Sequence, residues 1–509
     1  MRLKDLIGPL GAVRVIGGTE AEVTGICLDS RAVAGGPGGG PLFAAIPGEH
    51  VDGHEFIGKA VELGASAVLA SRPVEGLQVP QVIVEDTRAA LSKLSDVFYA
   101  SPSKEICVLG VTGTNGKTTV AYLVESILRE AGYSPGVVGT VNYRYGGNSY
   151  PAAHTTPQAP DLHRMLREMA DSGVTHCVME VSSHALEQKR VADVAFRAGV
   201  FTNLTHDHLD YHATMEEYFG CKSMLFGLVD GNRGVLVTNM DDAWGRLLKR
   251  DFPASVTCSL EEGADVYPRT ATLGDGITSA RIRTPAGDMD VTSHLAGEYN
   301  LQNVLASVAA GFALGICAEA IKKGVSALES VPGRLQKVVS SDGFTAYVDY
   351  AHTGDALERA LSALRNIASG RIISVFGCGG NRDRLKRPEM GGISARLADI
   401  SIVTSDNPRD EDPLEIIEEI EAGIKGIRKY SEDETPGGRG YIVVPDRAAA
   451  ISRAVGLARR GDVILLAGKG HEDYQIVGGQ RLHFSDMEAV SRAIGEREAS
   501  EAGGAALPQ

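Results

Sequence analysis

Cysteine and tryptophan are scarce in this chain. Seven cysteines and one tryptophan occur among 509 residues, and no two cysteines stand in a CxxC spacing. A disulfide framework or a zinc ribbon is therefore not expected, and a reducing compartment is the natural setting. Long apolar runs are missing too. None approaches the ~18 residues that crossing a bilayer requires. The first residues, MRLKDLIGPLGAVRVIGG, hold no secretory apolar segment, because Lys4, Asp5 and Arg14 break it, as do Gly8 and Pro9. A soluble cytoplasmic protein without membrane insertion is expected. Positive charge is in deficit, with 50 Lys and Arg against 65 Asp and Glu, a net of −15. Such a chain is a poor partner for nucleic acid or an anionic membrane. A small anionic ligand stays open, since a few local donors can hold one.

What is present is globular composition, 43% hydrophobic and 23% charged, with 61 glycines that suit many strand-to-helix turns. At ~150 residues per domain the length predicts about three domains. Residues 1–103 mix short strand-like runs at 67–70 and 82–84 with the stretch AGGPGGGP at 34–41, which reads as a surface loop. Residues 104–335 open on a buried-strand run at 106–111, and a helix with one apolar face follows at 120–131. Further buried-strand runs stand at 177–181, 199–204 and 235–238. Beyond a linker at 330–334, residues 336–498 alternate strand runs (372–376, 400–404, 441–444, 463–467) with helical segments. The fold class expected is α/β: a central ATPase-like, mostly parallel sheet and a C-terminal Rossmann-like block. The small polar stretch 499–509 reads as a flexible tail.

The segment from Gly110 to Thr119, with Thr112, Gly113, Thr114, Asn115, Gly116, Lys117 and Thr118, lies between a strand and a helix. Backbone N–H groups there cradle phosphate, Lys117 adds a point charge and the Thr118 hydroxyl can ligate Mg²⁺. The strict Walker spacing wants glycine where Val111 stands, so the alternative is a tight turn that happens to contain GKT. A nucleoside triphosphate is the expected ligand. Glu180 ends the strand run of CVMEV, where a carboxylate could hold Mg²⁺. The segment NLTHDHLDYH at 203–212 gathers three histidines and two aspartates; alone it suits a zinc or di-metal site, or a polar capping loop.

In order along the chain stand TGTNGKTT, HTTP at 154–157, EVSSHAL, NLTHDHLDYH, GEYNLQN, PGR at 332–334 and DYAHT at 349–353. Together they resemble the Mur ligases, over about residues 24–486. The resemblance implies three domains that bind a UDP-sugar, ATP and an amino acid, and ATP-driven amide synthesis on the peptide stem of peptidoglycan. It is closest to the members that add meso-diaminopimelate to UDP-N-acetylmuramoyl-L-alanyl-D-glutamate through an acyl phosphate. By this resemblance Lys117 and Thr118 take the triphosphate and its magnesium, with Glu180 and His208 as Mg²⁺ ligands. Lys222 is implied to react with CO₂, becoming a carbamate that also ligates Mg²⁺, whereas position alone reads it as a helix-surface lysine. His206, Asp207 and Asp210 are then expected to orient their loop, with Mg²⁺ rather than zinc as the metal. Asn303, Arg334 and Asp349 fall where the family contacts the nucleotide. Leu28 and Ser30 of LDSR, Thr155, Thr156, Ser182, Gln188 and Arg190 fall where it holds the UDP-muramoyl dipeptide. Arg409 of DNPR, with Arg382, Asp406, Asn407 and Pro408, is implied to take the distal carboxylate of diaminopimelate, and Gly468 and Glu472 the amino group beside it.

The sequence departs from the family pattern twice. AGGPGGGP lengthens the turn after LDSR, and Gly354 stands where proline usually follows DYAHT. A motor or switch would need an effector surface, and a kinase would need no amine pocket. A folate-type glutamate ligase disagrees with LDSR and HTTP. A non-catalytic paralogue disagrees with the intact Lys117, Glu180, His208 and Lys222.

Overall fold

A computed structural model describes residues 1–36, 38–48, 51–208, 211–274 and 276–504. Four sheets and a hairpin organise them. The first sheet has five strands, Arg14–Ile16, Gln81–Ile83, Ala67–Ala70, Gly40–Ala44 and Val23–Cys27 in spatial order, all parallel except the first. The second has eight. Its parallel part runs in space through Val256–Cys258, Val235–Asn239, Phe196–Phe201, Cys107–Thr112, His176–Glu180 and Pro135–Val138, and an antiparallel hairpin at 142–151 extends it. The fourth sheet places Thr345–Asp349, Val463–Ala467, Ile372–Phe376 and Ile400–Val403 side by side and parallel. Central strands such as Val463–Ala467 and Ile372–Phe376 are buried along their whole length. Their continuous apolar composition reflects helices covering both sheet faces.

The third sheet was not anticipated. Tyr267–Leu273, Thr278–Thr284 and Gly287–Ser293 form an antiparallel meander. Thr278–Thr284 alternates buried and exposed residues without a break, a period-two signal present in the sequence TSARIRT.

Two expectations need correction. The stretch at 34–41 is not all surface loop: Gly40 and Pro41 begin the fully buried strand Gly40–Ala44. A Cβ at Gly35 or Gly40 would stand 2.3 or 1.9 Å from the Gly64 carbonyl oxygen, so the glycines permit close backbone packing. The expected tail from 499 is helical as far as Gly504, within Asp486–Gly504; the run EREASEA is rich in good helix formers. Residues 505–509 lie outside the described residues.

These sheets position the site because catalytic-type loops leave strands at one edge. Glu180 ends a strand paired with the phosphate-loop strand, in register with Val111. In the fourth sheet Asp349 ends one strand, Gly468 follows the next, and the loops after Phe376 and Val403 follow the two beyond. Ligand-binding groups collect at such carboxyl ends.

Behind the phosphate loop, the helix Lys117–Glu130 is crossed by the helix Ala318–Ala327 at Gly324. A Cβ on Gly324 would lie 2.3 Å from Ile127 Cα, and Ser126 Oγ donates to the Gly324 carbonyl at 2.6 Å. Overpacking costs about 1–3 kcal/mol, more than the ~1 kcal/mol that alanine gains over glycine in a helix. Gly324→Ala is therefore expected to lower the urea midpoint of unfolding; an unchanged or raised midpoint would show that the two helices can separate at no cost.

Candidate active site

One cleft of about 620 Å³ is lined by the phosphate loop, the ends of the central strands and the loops of the fourth sheet. The phosphate loop depends on two glycines with positive φ. Gly113 (φ 145°) and Gly116 (φ 86°) leave no room for a Cβ, which would stand 1.9 Å from Thr202 Oγ1 at the first and 2.3 Å from Asn303 Oδ1 at the second. The Asn115 backbone is held from both sides: its N–H donates to Asn203 Oδ1 at 2.9 Å and its carbonyl accepts from Thr202 Oγ1 at 2.6 Å.

Two lysines converge on one carbonyl. Lys117 Nζ donates to Gly113 O at 2.9 Å and to Thr114 O at 2.8 Å, and Lys222 Nζ donates to Gly113 O at 2.8 Å. Lys222 is only 1% exposed, so it is no surface lysine; its ammonium also lies 4.4 Å from the Tyr218 ring centroid. Burial, then the charge of Lys117, pushes the Lys222 amine well below its ordinary value. Burial also lowers Lys117, against the opposing pull of Glu180 and Asp207.

Glu180 is 1% exposed and hydrogen-bonded through both oxygens. Its Oε2 accepts from Thr118 Oγ1 and Thr140 Oγ1, both at 2.9 Å, and its Oε1 from the Thr140 N–H at 2.9 Å. Arg334 Nη2 donates to Thr118 Oγ1 at 3.1 Å, and its guanidinium lies over the Tyr350 ring, 4.8 Å from the centroid. These are hard oxygen donors, suited to Mg²⁺. Among the described residues no three His, Cys, Asp or Glu side chains gather to hold a metal. His208 stands at φ 54° with its N–H on Asp207 Oδ1 at 2.9 Å, and His206 and Asp207 face the cleft. His212 turns instead to Ser183 Oγ at 3.0 Å and stacks on Tyr218. Asp210 lies outside the described residues.

In the third block Asp349 accepts from the Leu335 N–H at 2.7 Å and the Ala351 N–H at 2.8 Å; burial raises its carboxyl. Lys469, fully buried, donates to Asn407 Oδ1 at 3.3 Å and Glu472 Oε2 at 3.2 Å, with Asp406 at 3.8 Å. Burial raises the Glu472 carboxyl, and Lys469 opposes that. A Cβ on Gly468 (φ 118°) would stand 2.5 Å from Asp406 Oδ2. Beneath them the wholly buried Arg447–Asp486 pair holds the strand end, Arg447 Nη2 donating to Ala467 O at 2.9 Å. Arg409 (φ 54°) donates through Nη1 to Gly380 O at 2.6 Å.

Of the residues singled out in the sequence, Thr114 to Thr118, Thr155, Thr156, Glu180, Ser182, Arg190, His208, Asn303, Arg334, Asp349, Arg382, Asp406, Asn407, Arg409, Gly468 and Glu472 line this cleft. Thr112, Gly113, Lys222 and Pro408 are not among its lining residues. Gln188 touches Arg190 there, and Arg190 Nη1 reaches Thr156 O at 3.0 Å. Leu28 and Ser30 sit apart on the first sheet: Leu28 packs on its core, and Ser30 starts a turn capped by Asp29. Thr140 and Asp355 were missed, and Lys469, though it stands in the sequence Gly468-Lys469-Gly470-His471-Glu472 that follows a strand, was given no role. Asp355 Oδ2 accepts from Asn115 Nδ2 at 3.0 Å and Thr205 Oγ1 at 3.1 Å, tying the third block to the phosphate loop. Asp355 lies two residues beyond DYAHT, so proximity to a motif could have flagged it; nothing around Thr140 could.

Comparison with known proteins gives three family matches in chain order: the Mur ligase family, catalytic domain, at residues 22–99; the Mur ligase middle domain at 111–311; and the Mur ligase, glutamate ligase domain at 333–470. A Geobacter metallireducens protein named UDP-N-acetylmuramoyl-L-alanyl-D-glutamate–2,6-diaminopimelate ligase is 47% identical over 97% of this chain and 99% of its own. A solved structure of a ligase with that name is 31% identical, with a TM-score of 0.68 over 98% of this chain and 99% of that one. Thermotoga maritima MurF in complex with ADP shares the fold, at 20% identity, with a TM-score of 0.63 over 93% of this chain and 98% of that one.

Proposed function

The chain belongs to the Mur ligase family, and from that premise we propose that it is the ATP-dependent ligase that adds meso-diaminopimelate to UDP-N-acetylmuramoyl-L-alanyl-D-glutamate in peptidoglycan precursor synthesis. The observation that carries this reading is the single cleft, in which a phosphate loop faces the arginines and carboxylates of the third block. No helix among the described residues is long and apolar enough to cross a membrane; we place the enzyme in the cytoplasm, where its nucleotide substrates are made. Residues 1–103 hold the UDP-sugar with Leu28 and Ser30, 104–335 hold ATP, and 336–498 hold the amino acid.

A carboxylate does not acylate an amine at neutral pH, because its charge is delocalised and its oxygen is a poor leaving group. A D-glutamyl carboxylate oxygen therefore attacks the γ-phosphorus of ATP, and the bond to ADP breaks. The amine of diaminopimelate then attacks the acyl carbon, phosphate departs and the amide nitrogen loses a proton. Both reactants of the first step are anions, so positioned cations and N–H donors supply most of the help. Thr112 to Thr118 cradle the phosphates, Lys117 and Arg334 bring positive charge, and Asn303 and Asp349 contact the nucleotide. Thr155, Thr156, Ser182, Gln188 and Arg190 orient the muramoyl dipeptide. Thr118, Glu180, His208 and Lys222 as its carbamate would hold Mg²⁺, which neutralises phosphate charge when bound.

Lys222 suits carbamate formation because its buried environment disfavours the ammonium form. Only the neutral amine attacks CO₂; a C–N bond forms and a proton is released, turning a cation into an oxygen ligand. Lys222→Ala is expected to be nearly inactive and partly restored by short carboxylates such as formate or acetate. Full activity in the alanine variant would remove the carbamate from the scheme.

Amine choice tests the function as a whole. Meso-diaminopimelate carries one carboxylate more than L-lysine, and a guanidinium fork at Arg409 matches it with two N–H donors. Arg382, Asp406, Asn407 and Pro408 shape that end, with Gly468 and Glu472 at its ammonium group. Leaving such donors unpaired can cost a factor of up to roughly 10⁴. Phosphate release with UDP-muramoyl-L-Ala-D-Glu is expected to need diaminopimelate, to be very weak with lysine and absent without amine. Arg409→Ala is expected to lose diaminopimelate addition far more than ATP binding. Lysine used within about tenfold of diaminopimelate would contradict the assignment.

A further inference from the structure

Arg382 and Arg409 stand on different loops, so their separation must be set by something other than the strands that carry them. The two loops touch through Gly380, whose N–H donates to Asn407 O at 2.9 Å and whose carbonyl accepts from Arg409 Nη1. The contact is tight, since a Cβ on Gly380 would stand 1.9 Å from Pro408 O. It is also strained: Asn381 (φ 52°) and Arg409 (φ 54°) both hold left-handed backbone without being glycine. Such conformations persist where surroundings over-determine them.

Arg387 and Glu411 supply that surrounding. The Arg387 side chain is wholly buried and its fork is bidentate on Glu411, Nη1 to Oε2 and Nη2 to Oε1, both at 2.9 Å. Nη1 also donates to Glu419 Oε2 at 2.9 Å and Nη2 to the Gly379 carbonyl at 3.3 Å. The same Glu411 Oε1 accepts from the N–H of Asn381, the left-handed residue. The guanidinium thus grips the start of one loop directly and, through Glu411 just beyond Arg409, joins it to the other. Stability is a poor reason for this arrangement. Arg387 Nε is buried without a partner, and buried ion pairs gain little over apolar replacements.

We propose that Arg387 and Glu411 are positioning residues that set the spacing of Arg382 and Arg409, and so the preference for an amino acid with a distal carboxylate. The proposal rests on the diaminopimelate reading of those two arginines. Neither Arg387 nor Glu411 is among the residues lining the cleft, so they act through the loops. Small misplacements of binding groups can cost up to about a hundredfold.

The test is steady-state kinetics of Glu411→Gln, which keeps the shape and removes the charge, and of Arg387→Lys, which keeps the charge and loses the fork. Each is expected to raise the KM for meso-diaminopimelate about tenfold or more, with the KM for ATP and kcat within about twofold, and to narrow the preference over lysine. Adding Glu411→Gln to Arg409→Ala should then raise the diaminopimelate KM by less than it does in the wild-type background, because one of the two arginines it positions is gone. An unchanged diaminopimelate KM in both single variants would overturn the proposal, as would parallel losses in ATP and diaminopimelate use. If Arg409→Ala itself spares diaminopimelate addition, the underlying reading falls and this inference with it.

Discussion

The Gly113 carbonyl accepts from two ammonium groups, those of the half-buried Lys117 and the buried Lys222. Among the described residues neither lysine has a carboxylate within ion-pair distance. Two cations in a low-dielectric site repel each other, and burial pushes each toward its neutral form, against the more distant carboxylates of Glu180 and Asp207. An anion in the site, or a change in the site's own charge, relieves that repulsion. A triphosphate against the loop supplies the first; a carbamate on Lys222 supplies the second. Much of the surrounding structure serves this point: the open φ of Gly113, the Tyr218 ring beneath Lys222, and Glu180 held at a distance by Thr118 and Thr140.

The rest of the cleft follows from how two parallel sheets deliver their loops. The central sheet brings the phosphate loop, Glu180 and the histidine loop to one edge, and the fourth sheet brings Asp349, Gly468 and the two arginine loops to another. Polar groups join the edges. Arg334 reaches Thr118 from the linker, and Asp355 reaches Asn115 from the first helix of the third block. Hydrogen bonds thus link the phosphate loop to the linker and to the third block across the cleft.

Local signals were legible in the sequence. The phosphate loop is contiguous, and the buried strands at 372–376 and 463–467 are uninterrupted apolar runs, so their positions could be read residue by residue. Motif order carried the family and most of the cleft. Contacts between distant segments were not legible. Thr140 on Glu180 and Asp355 on Asn115 join residues 40 and 240 positions apart, with no periodicity to announce them. The stretch at 34–41 was misread because composition predicts a solvated loop; the glycines there instead admit the backbone at Gly64. Lys222 looked like a surface lysine by position, and only resemblance to the family pointed inward, where the fold puts it.

The central claim is that Lys222 works as an anion. Carbon-13 NMR of the active enzyme equilibrated with labelled bicarbonate tests it directly. One carbamate resonance is expected in the wild-type protein, absent from Lys222→Arg and lost together with activity when CO₂ is stripped. A fully active enzyme without that resonance, or the same resonance persisting in Lys222→Arg, would contradict the account.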